Sequence, residues 1–217
     1  MRKERFTLGV SLLLNPSRKV IFLDIRNVLL FFDWEKMYQQ IAAYCQMDVI
    51  EVKKTLKEHK WSDAYEKGEI DSRALFHELP LNIQGSKGFA GWMEAISNIF
   101  KPNDPLSLLI KQLKQNHVEL FTLSNICEAH FGYAYTHFSI LHFFDGHILS
   151  YEVKKKVPDP KMYEEALLKA AANKENSLYI SASSEYVEQA KLLSIESELY
   201  ESPAALSLQL KQKNYLH

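Results

Sequence analysis

Four short segments carry the residue types from which a reactive or ligand-binding site could be built, and three of them directly follow an apolar run. Asp24-Ile25-Arg26-Asn27 follows Val20-Ile21-Phe22-Leu23, and Ser124-Asn125 follows Val118 to Leu123. The lysine run Lys154-Lys155-Lys156 leads into Val157-Pro158-Asp159-Pro160, and Ser181-Ala182-Ser183-Ser184-Glu185 follows Leu178-Tyr179-Ile180. Together they supply a carboxylate, hydroxyls, an amide, a guanidinium and ammonium groups, the donors and acceptors of a polar site. Each also has a plain structural reading. Ser-Asn after a strand makes a turn or a helix cap, Glu185 caps a helix or is solvated, and three consecutive lysines form a solvated loop. His117, His130, His137, His142 and His147 fit no zinc spacing and read as packing residues. Cys45 and Cys127 form neither a disulfide framework nor a metal pattern, and are expected as two buried thiols.

Positioning these residues requires strands that end together. Val20 to Leu23 is continuously apolar, as in a strand buried on both faces. From Asp33 the period changes: Trp34, Met37, Tyr38, Ile41, Ala42 and Cys45 form one helical stripe. Asp48 with Glu51 reads as a capping box for a helix through His59, and Asp71 or Ser72 caps another through Leu79. A fourth helix covers Phe89 to Phe100. Residues 33–102 thus read as helices only, with Trp34, Trp61 and Trp92 all inside, an inserted subdomain with its own small core. Asp104-Pro105 then reads as an N-cap and first helical proline, for a helix to about Gln115. Strands over Val118–Leu123, His147–Ser150, Leu178–Ser181 and Glu198–Tyr200 alternate with helices over Lys161–Ala172 and Glu185–Leu193. That alternation predicts an α/β fold with a parallel sheet flanked by helices. In such sheets ligands bind beyond the carboxyl ends of the strands.

In this order, with a helical insert after the first, the four segments resemble the four motifs of the haloacid dehalogenase (HAD)-like hydrolase superfamily. The segment from Pro158 to Leu167 strengthens the resemblance, which covers roughly residues 20–203. It implies a Rossmann-like core over 20–32 and 103–217, an inserted all-helical cap over 33–102, and an N-terminal extension over 1–19. It also implies that Asp24 is a nucleophile forming a covalent phospho- or alkyl-aspartate, with Ser124 and Asn125 holding phosphoryl oxygens. Asp24 is expected at the carboxyl end of a central strand, facing the insert.

The pattern then departs from the family. Two positions after the nucleophile, where relatives carry a second acid, stands Arg26, which cannot be a general acid near neutral pH. The lysine expected before Pro-Asp-Pro is Val157, with Lys155 and Lys156 as neighbouring charge substitutes. Ser181 and Ala182 stand where one or two aspartates would face Mg²⁺, with Glu185 as a substitute ligand. Arg26 is expected to pair with Asp24, or failing that to turn outward and neutralise another acid at the cleft rim. The leading expectation is a catalytically impaired relative acting as a binding or interaction module, with no cofactor and no metal site. The alternatives are an active hydrolase, a phosphatase using Mg²⁺, and a metal-independent haloacid dehalogenase with serines in the fourth motif.

Composition sets outer bounds. The 217 residues fit one α/β domain with an insert, and 26 basic against 27 acidic residues give no footprint for nucleic acid or a membrane surface. The partner is expected to be a small molecule or a protein. No run reaches the length of a membrane helix. The start is basic and then apolar, like the beginning of a signal peptide, but Asn15-Pro16-Ser17 offers no small-x-small cleavage site, so the expected compartment is the cytoplasm.

Overall fold

The computed structural model describes residues 18–58, 61–78 and 88–216. Among the described residues there are seven strands: β1 (Val20–Leu23), β2 (Leu30–Phe32), β3 (Phe100–Pro102), β4 (Glu119–Ser124), β5 (Gly146–Leu149), β6 (Ser177–Ser181) and β7 (Glu196–Leu199). The first helices are α1 (Trp34–Cys45), α2 (Val49–Glu58), α3 (Trp61–Glu66), α4 (Ser72–Glu78) and α5 (Gly88–Ser97). Next come α6 (Asp104–Gln115), α7 (Glu128–His137), the single turn α8 (Ser150–Val153), α9 (Pro160–Lys169), α10 (Ser184–Leu192) and α11 (Pro203–Gln212).

Five strands form one parallel sheet in the order β5-β4-β1-β6-β7. β1 is therefore central, and its pleat divides the core in two. Ile21 and Leu23 pack with Leu106, Leu109, Ile110 and Leu113 of α6 and Leu206 and Leu210 of α11. Val20 and Phe22 face the other way, onto Met162, Tyr163 and Ala166 of α9 and Ala190 of α10. Because both faces are covered, all four residues of β1 must be apolar. Each such side chain contributes about 1.5–3 kcal/mol through burial. Arg18 and Lys19, assigned by sequence to an extension, already join this core: Arg18 pairs with Glu119, and the Lys19 carbonyl accepts from the Glu119 amide at 3.0 Å. The first seventeen residues, with the leader-like segment, lie outside the described residues.

Between β2 and β3 the chain forms α1 to α5. Their apolar faces meet in a separate cluster of Ile41, Ala42, Cys45, Val52, Tyr65, Leu75, Trp92 and Ile96, joined by Cys127 and Ala129 from the start of α7. Cys45 and Cys127 are both buried free thiols. Asp71 caps α4 by accepting from Arg73 and Ala74 at 2.9 and 2.7 Å. Asp48 accepts from the Ile50 amide at 2.7 Å at the start of α2. The helix ends expected at His59 and Leu79 lie outside the described residues.

Three expectations need correction. Residues 33–102 are not helical throughout: Phe100–Pro102 is a strand, antiparallel to β2 with Leu30 opposite Pro102. α5 accordingly stops at Ser97, not Phe100. The N-cap of α6 is Asn103, not Asp104, and its side chain turns inward. Asn103 Nδ2 donates to the Val28 carbonyl at 2.7 Å and the Tyr200 hydroxyl at 2.6 Å, fastening the turn after β1 to the far end of the sheet.

Candidate functional site

Asp24 follows the last residue of β1 directly, and its amide donates to the Ile180 carbonyl of β6 at 2.9 Å. The chain then turns back at once. Asn27, at φ 59°, takes the left-handed conformation that asparagine tolerates, and its amide donates to the Leu30 carbonyl at 2.8 Å. This tight return buries Asp24, which is only 4% exposed.

Both carboxylate oxygens are occupied by protein donors. Oδ1 accepts from the Ser124 hydroxyl at 2.7 Å and from the Arg26 backbone amide at 3.2 Å. Oδ2 accepts from the Ser181 hydroxyl at 3.0 Å. Burial still pushes the Asp24 carboxyl above its ordinary range, against the opposing pull of Ser124, the Arg26 charge, Ser181 and the Arg26 amide. Beside it, the Tyr179 hydroxyl is fully buried and has no hydrogen-bond partner among the described residues. Burial, and then the Asp24 charge, raise its pKa well above the tyrosine range.

Arg26 takes the second of its two expected courses. Its guanidinium does not pair with Asp24. Nη1 lies 3.4 Å from Oε1 of Glu66, the last residue of α3, and the group sits 5.9 Å from the Phe32 ring. Lys156 does the same from the opposite side, with Nζ 2.6 Å from Glu66 Oε2 and 3.1 Å from Asp63 Oδ1. Lys156 is raised above the ordinary lysine value: burial works against its charge, but the bonds to Glu66 and Asp63 outweigh it. Lys154 donates to the Gly68 carbonyl, and Lys155 lies 3.8 Å from Asp159. The lysine run is therefore only in part a solvated segment. Two of its three members reach across to the helical insert.

Val157 is 2% exposed and belongs to the apolar core. Its backbone is bracketed by Asn125, whose Oδ1 accepts from the Val157 amide at 2.7 Å and whose Nδ2 donates to the Val157 carbonyl at 2.8 Å. Nδ2 also reaches the Tyr186 hydroxyl at 3.1 Å. Ser124 and Ser181 are thus brought to Asp24, while the Asn125 side chain turns to hold the segment carrying Val157. Ala182 and Glu185 are exposed.

Other contacts close the insert over this edge of the sheet, and no motif in the sequence marked them. The buried Ser150 hydroxyl donates to the Glu66 carbonyl at 2.6 Å. Tyr65 and Ser72 share a 2.7 Å bond, the Ser72 hydroxyl reaches Glu128 at 2.8 Å, and the Ala129 amide donates to the Tyr65 hydroxyl at 3.3 Å. His130 of α7 bonds the Ile96 carbonyl of α5 at 3.0 Å among the rings of Phe32, Trp34 and Phe100. Burial lowers the pKa of His130 to about 4, although the Ile96 bond opposes it. A histidine depressed below its unfolded value near 6.5 stabilises the fold above that value and loses the contribution as pH falls toward about 4. Chemical denaturation at pH 7 and pH 4.5 is expected to show a loss on the order of 2 kcal/mol from this residue. His130→Gln, which keeps a donor for Ile96, removes that part of the pH dependence.

A parallel five-stranded sheet with an aspartate directly after its central strand, and helices inserted after β2, defines a Rossmann-like α/β core. The chain belongs to the haloacid dehalogenase-like hydrolase family, whose model matches residues 40–197, from within α1 into β7. Asp24 itself precedes the matched stretch. No curated protein matches the sequence. Among solved structures, the HAD family enzyme Bt-2542 from Bacteroides thetaiotaomicron is 20% identical, covers 85% of this chain and 94% of its own, and superposes with a TM-score of 0.72. A predicted HAD-like family hydrolase from Porphyromonas gingivalis is 18% identical, with 88% and 98% covered and a TM-score of 0.70. L-2-haloacid dehalogenase from Xanthobacter autotrophicus is 17% identical, with 90% and 83% covered and a TM-score of 0.59. At these identities the likeness establishes the shared fold. None of the described helices is long and apolar enough to cross a membrane.

Bt-2542 has been solved with magnesium and inorganic phosphate. The donors around Asp24 do not fit such an ion. Magnesium takes near-octahedral oxygen ligands, usually one or two carboxylates with water and substrate oxygens. Here the Asp24 oxygens accept from two hydroxyls, and Ser181, where the resemblance implies a second carboxylate, offers only a neutral oxygen. Among the described residues no three His, Cys, Asp or Glu side chains are grouped to hold a metal.

Proposed function

We propose that this chain is a HAD-fold protein that does not hydrolyse its ligand and serves as a binding or interaction module. The observation that carries this reading is the satisfaction of Asp24 by neutral donors. Ser124, Ser181 and the Arg26 amide take its oxygens, while both nearby cationic side chains, Arg26 and Lys156, are bound to Glu66. A nucleophilic carboxylate in phosphoryl transfer needs positive charge to stabilise the charge that develops. Here the lysine position is a buried Val157.

Asp24→Asn tests the reading twice. Asparagine keeps the acceptor for Ser124 and Arg26 and offers a donor to Ser181, while removing a buried charge. An acid raised in the folded state stabilises the fold below its unfolded pKa and loses that contribution as pH rises through the folded value. Asp24→Asn is therefore expected to leave stability nearly unchanged at pH 3.5 or below, a level set by the ordinary carboxylate pKa of about 3.9. Near neutral pH it should raise stability, read as a higher melting temperature than that of the unmodified protein. Generic phosphomonoesters should be turned over at background rates by both proteins. Turnover that disappears in Asp24→Asn would reverse the reading and favour an active hydrolase.

A second reading has one specific observation in its favour. Ser181 stands at the motif IV position and bonds the aspartate directly, in a fold shared with a haloacid dehalogenase that has been solved with chloropropionic acid covalently bound. Under that reading Asp24 attacks a carbon–halogen bond without metal. Halide release from 2-chloropropionate, lost in Asp24→Asn, is the outcome that would support it.

A further inference from the structure

Arg26 and Lys156 come from different parts of the core, 130 residues apart in sequence, yet they converge on one carboxylate of the insert. Glu66 divides its oxygens between them: Oε1 faces the Arg26 guanidinium at 3.4 Å and Oε2 the Lys156 ammonium at 2.6 Å. The side chain is only 14% exposed, and the two cations about a quarter exposed. Oppositely charged groups also frame the edge of this cluster, since Asp63 shares Lys156 and is itself paired with Lys67 at 2.6 Å. The backbone beneath Glu66 is fastened separately, through the Ser150 hydroxyl to the Glu66 carbonyl and through Lys154 to the Gly68 carbonyl. The Glu66 side chain is therefore not the sole tie between this end of α3 and the core. What it contributes is a carboxylate set between two cations beyond the strand ends, where ligands of such sheets bind.

We propose that Glu66 is an internal stand-in for the anionic group of a ligand, and that a small oxyanion, carboxylate or phosphate, takes Arg26 and Lys156 from it. The proposal rests on the binding reading above and names the chemistry of what is bound. A carboxylate and a phosphate oxygen accept from guanidinium and ammonium in the same way, so the site as observed selects for oxyanion character. Glu66 then acts as a competitor at very high local concentration, and the apparent affinity of an external anion is reduced by the fraction of molecules in which Glu66 is released.

The test is a calorimetric titration of inorganic phosphate, and separately of acetate, at ionic strength held constant with sodium chloride. Glu66→Gln is expected to bind at least one of the two about tenfold or more tighter than the unmodified protein, because the competing charge is gone. Adding Arg26→Gln and Lys156→Gln to that variant should abolish the gain. Which anion binds decides between the two sources. Equal affinity of Glu66→Gln and the unmodified protein for both anions would overturn the proposal, and so would a gain that survives loss of the two cations. Should Glu66→Gln fail to fold, amide exchange in the unmodified protein serves instead. Phosphate or acetate should accelerate exchange at residues 66–72 relative to chloride, and unchanged exchange would overturn the proposal. Asp24-dependent turnover would overturn the non-hydrolytic reading without touching this competition, so the two failures are distinguishable.

Discussion

Asn125→Ala is expected to destabilise the protein by about 3–5 kcal/mol, because it strands two buried backbone groups at once. The amide and the carbonyl of Val157 both find their partner in the Asn125 side chain, at 2.7 and 2.8 Å, and Val157 is inside the core. Alanine offers neither donor nor acceptor, and the space left is enclosed. Asn125→Asp separates two roles. An aspartate keeps the acceptor for the Val157 amide but faces the Val157 carbonyl without a proton to give, so it should recover only part of the loss. If Asn125 served mainly a ligand, both variants would unfold near the midpoint of the unmodified protein. Urea denaturation followed by tryptophan fluorescence decides between the two.

Gly68→Val is expected to cost about 3 kcal/mol or more, combining a left-handed backbone conformation with a steric clash. Gly68 has φ +61°, and a Cβ there would lie 2.3 Å from the Tyr151 carbonyl oxygen and 2.6 Å from Lys154 Nζ. The flexible lysine could retreat, but the Tyr151 backbone could not. The turn at Gly68 is where the insert lies against α8, so the expected result is loss of the insert's seat before loss of the sheet. Proteolysis should then cut within residues 61–78 while the α/β core survives. Uniform unfolding, with no such fragment, would show that insert and core form one cooperative unit. Gly68→Ala meets the same Tyr151 oxygen and should give a smaller effect of the same kind.

Most of the secondary structure could be read directly because it is governed by local chemistry. Val20–Leu23 is apolar at every position, as the central strand of a doubly covered sheet has to be. The stripe from Trp34 to Cys45 and the Asp71 cap announce α1 and α4 through spacing and a single side chain. α7 was not readable. Glu128-Ala-His-Phe-Gly-Tyr-Ala-Tyr-Thr-His has aromatic residues around its circumference and a glycine in the middle, so no face stands out, and its packing against both α5 and the sheet determines it. The β2–β3 pair escaped for another reason. Three-residue strands carry too little pattern, and their pairing joins residues about 70 apart.

At the site, the sequence determined which groups are present: an aspartate after the central strand, serines on both neighbouring strand ends, and Arg26, Val157, Ser181 and Ala182 at the positions where the resemblance implies an acid, a lysine and metal-facing carboxylates. It also determined the family resemblance, since the order of the segments along the chain is itself sequence information. Only the tertiary structure decided what those groups are used for. A long cationic side chain can reach any acid within several ångströms, and sequence does not say which acid folding will bring there. Arg26 had Asp24 two residues away and instead faces Glu66, 40 residues on. Lys156 goes to the same carboxylate, and Asn125 spans 32 residues to hold the Val157 backbone. These choices follow from the burial of Asp24 under the tight return at Asn27 and from the seating of α3 against the strand ends, both consequences of packing between segments far apart in the chain.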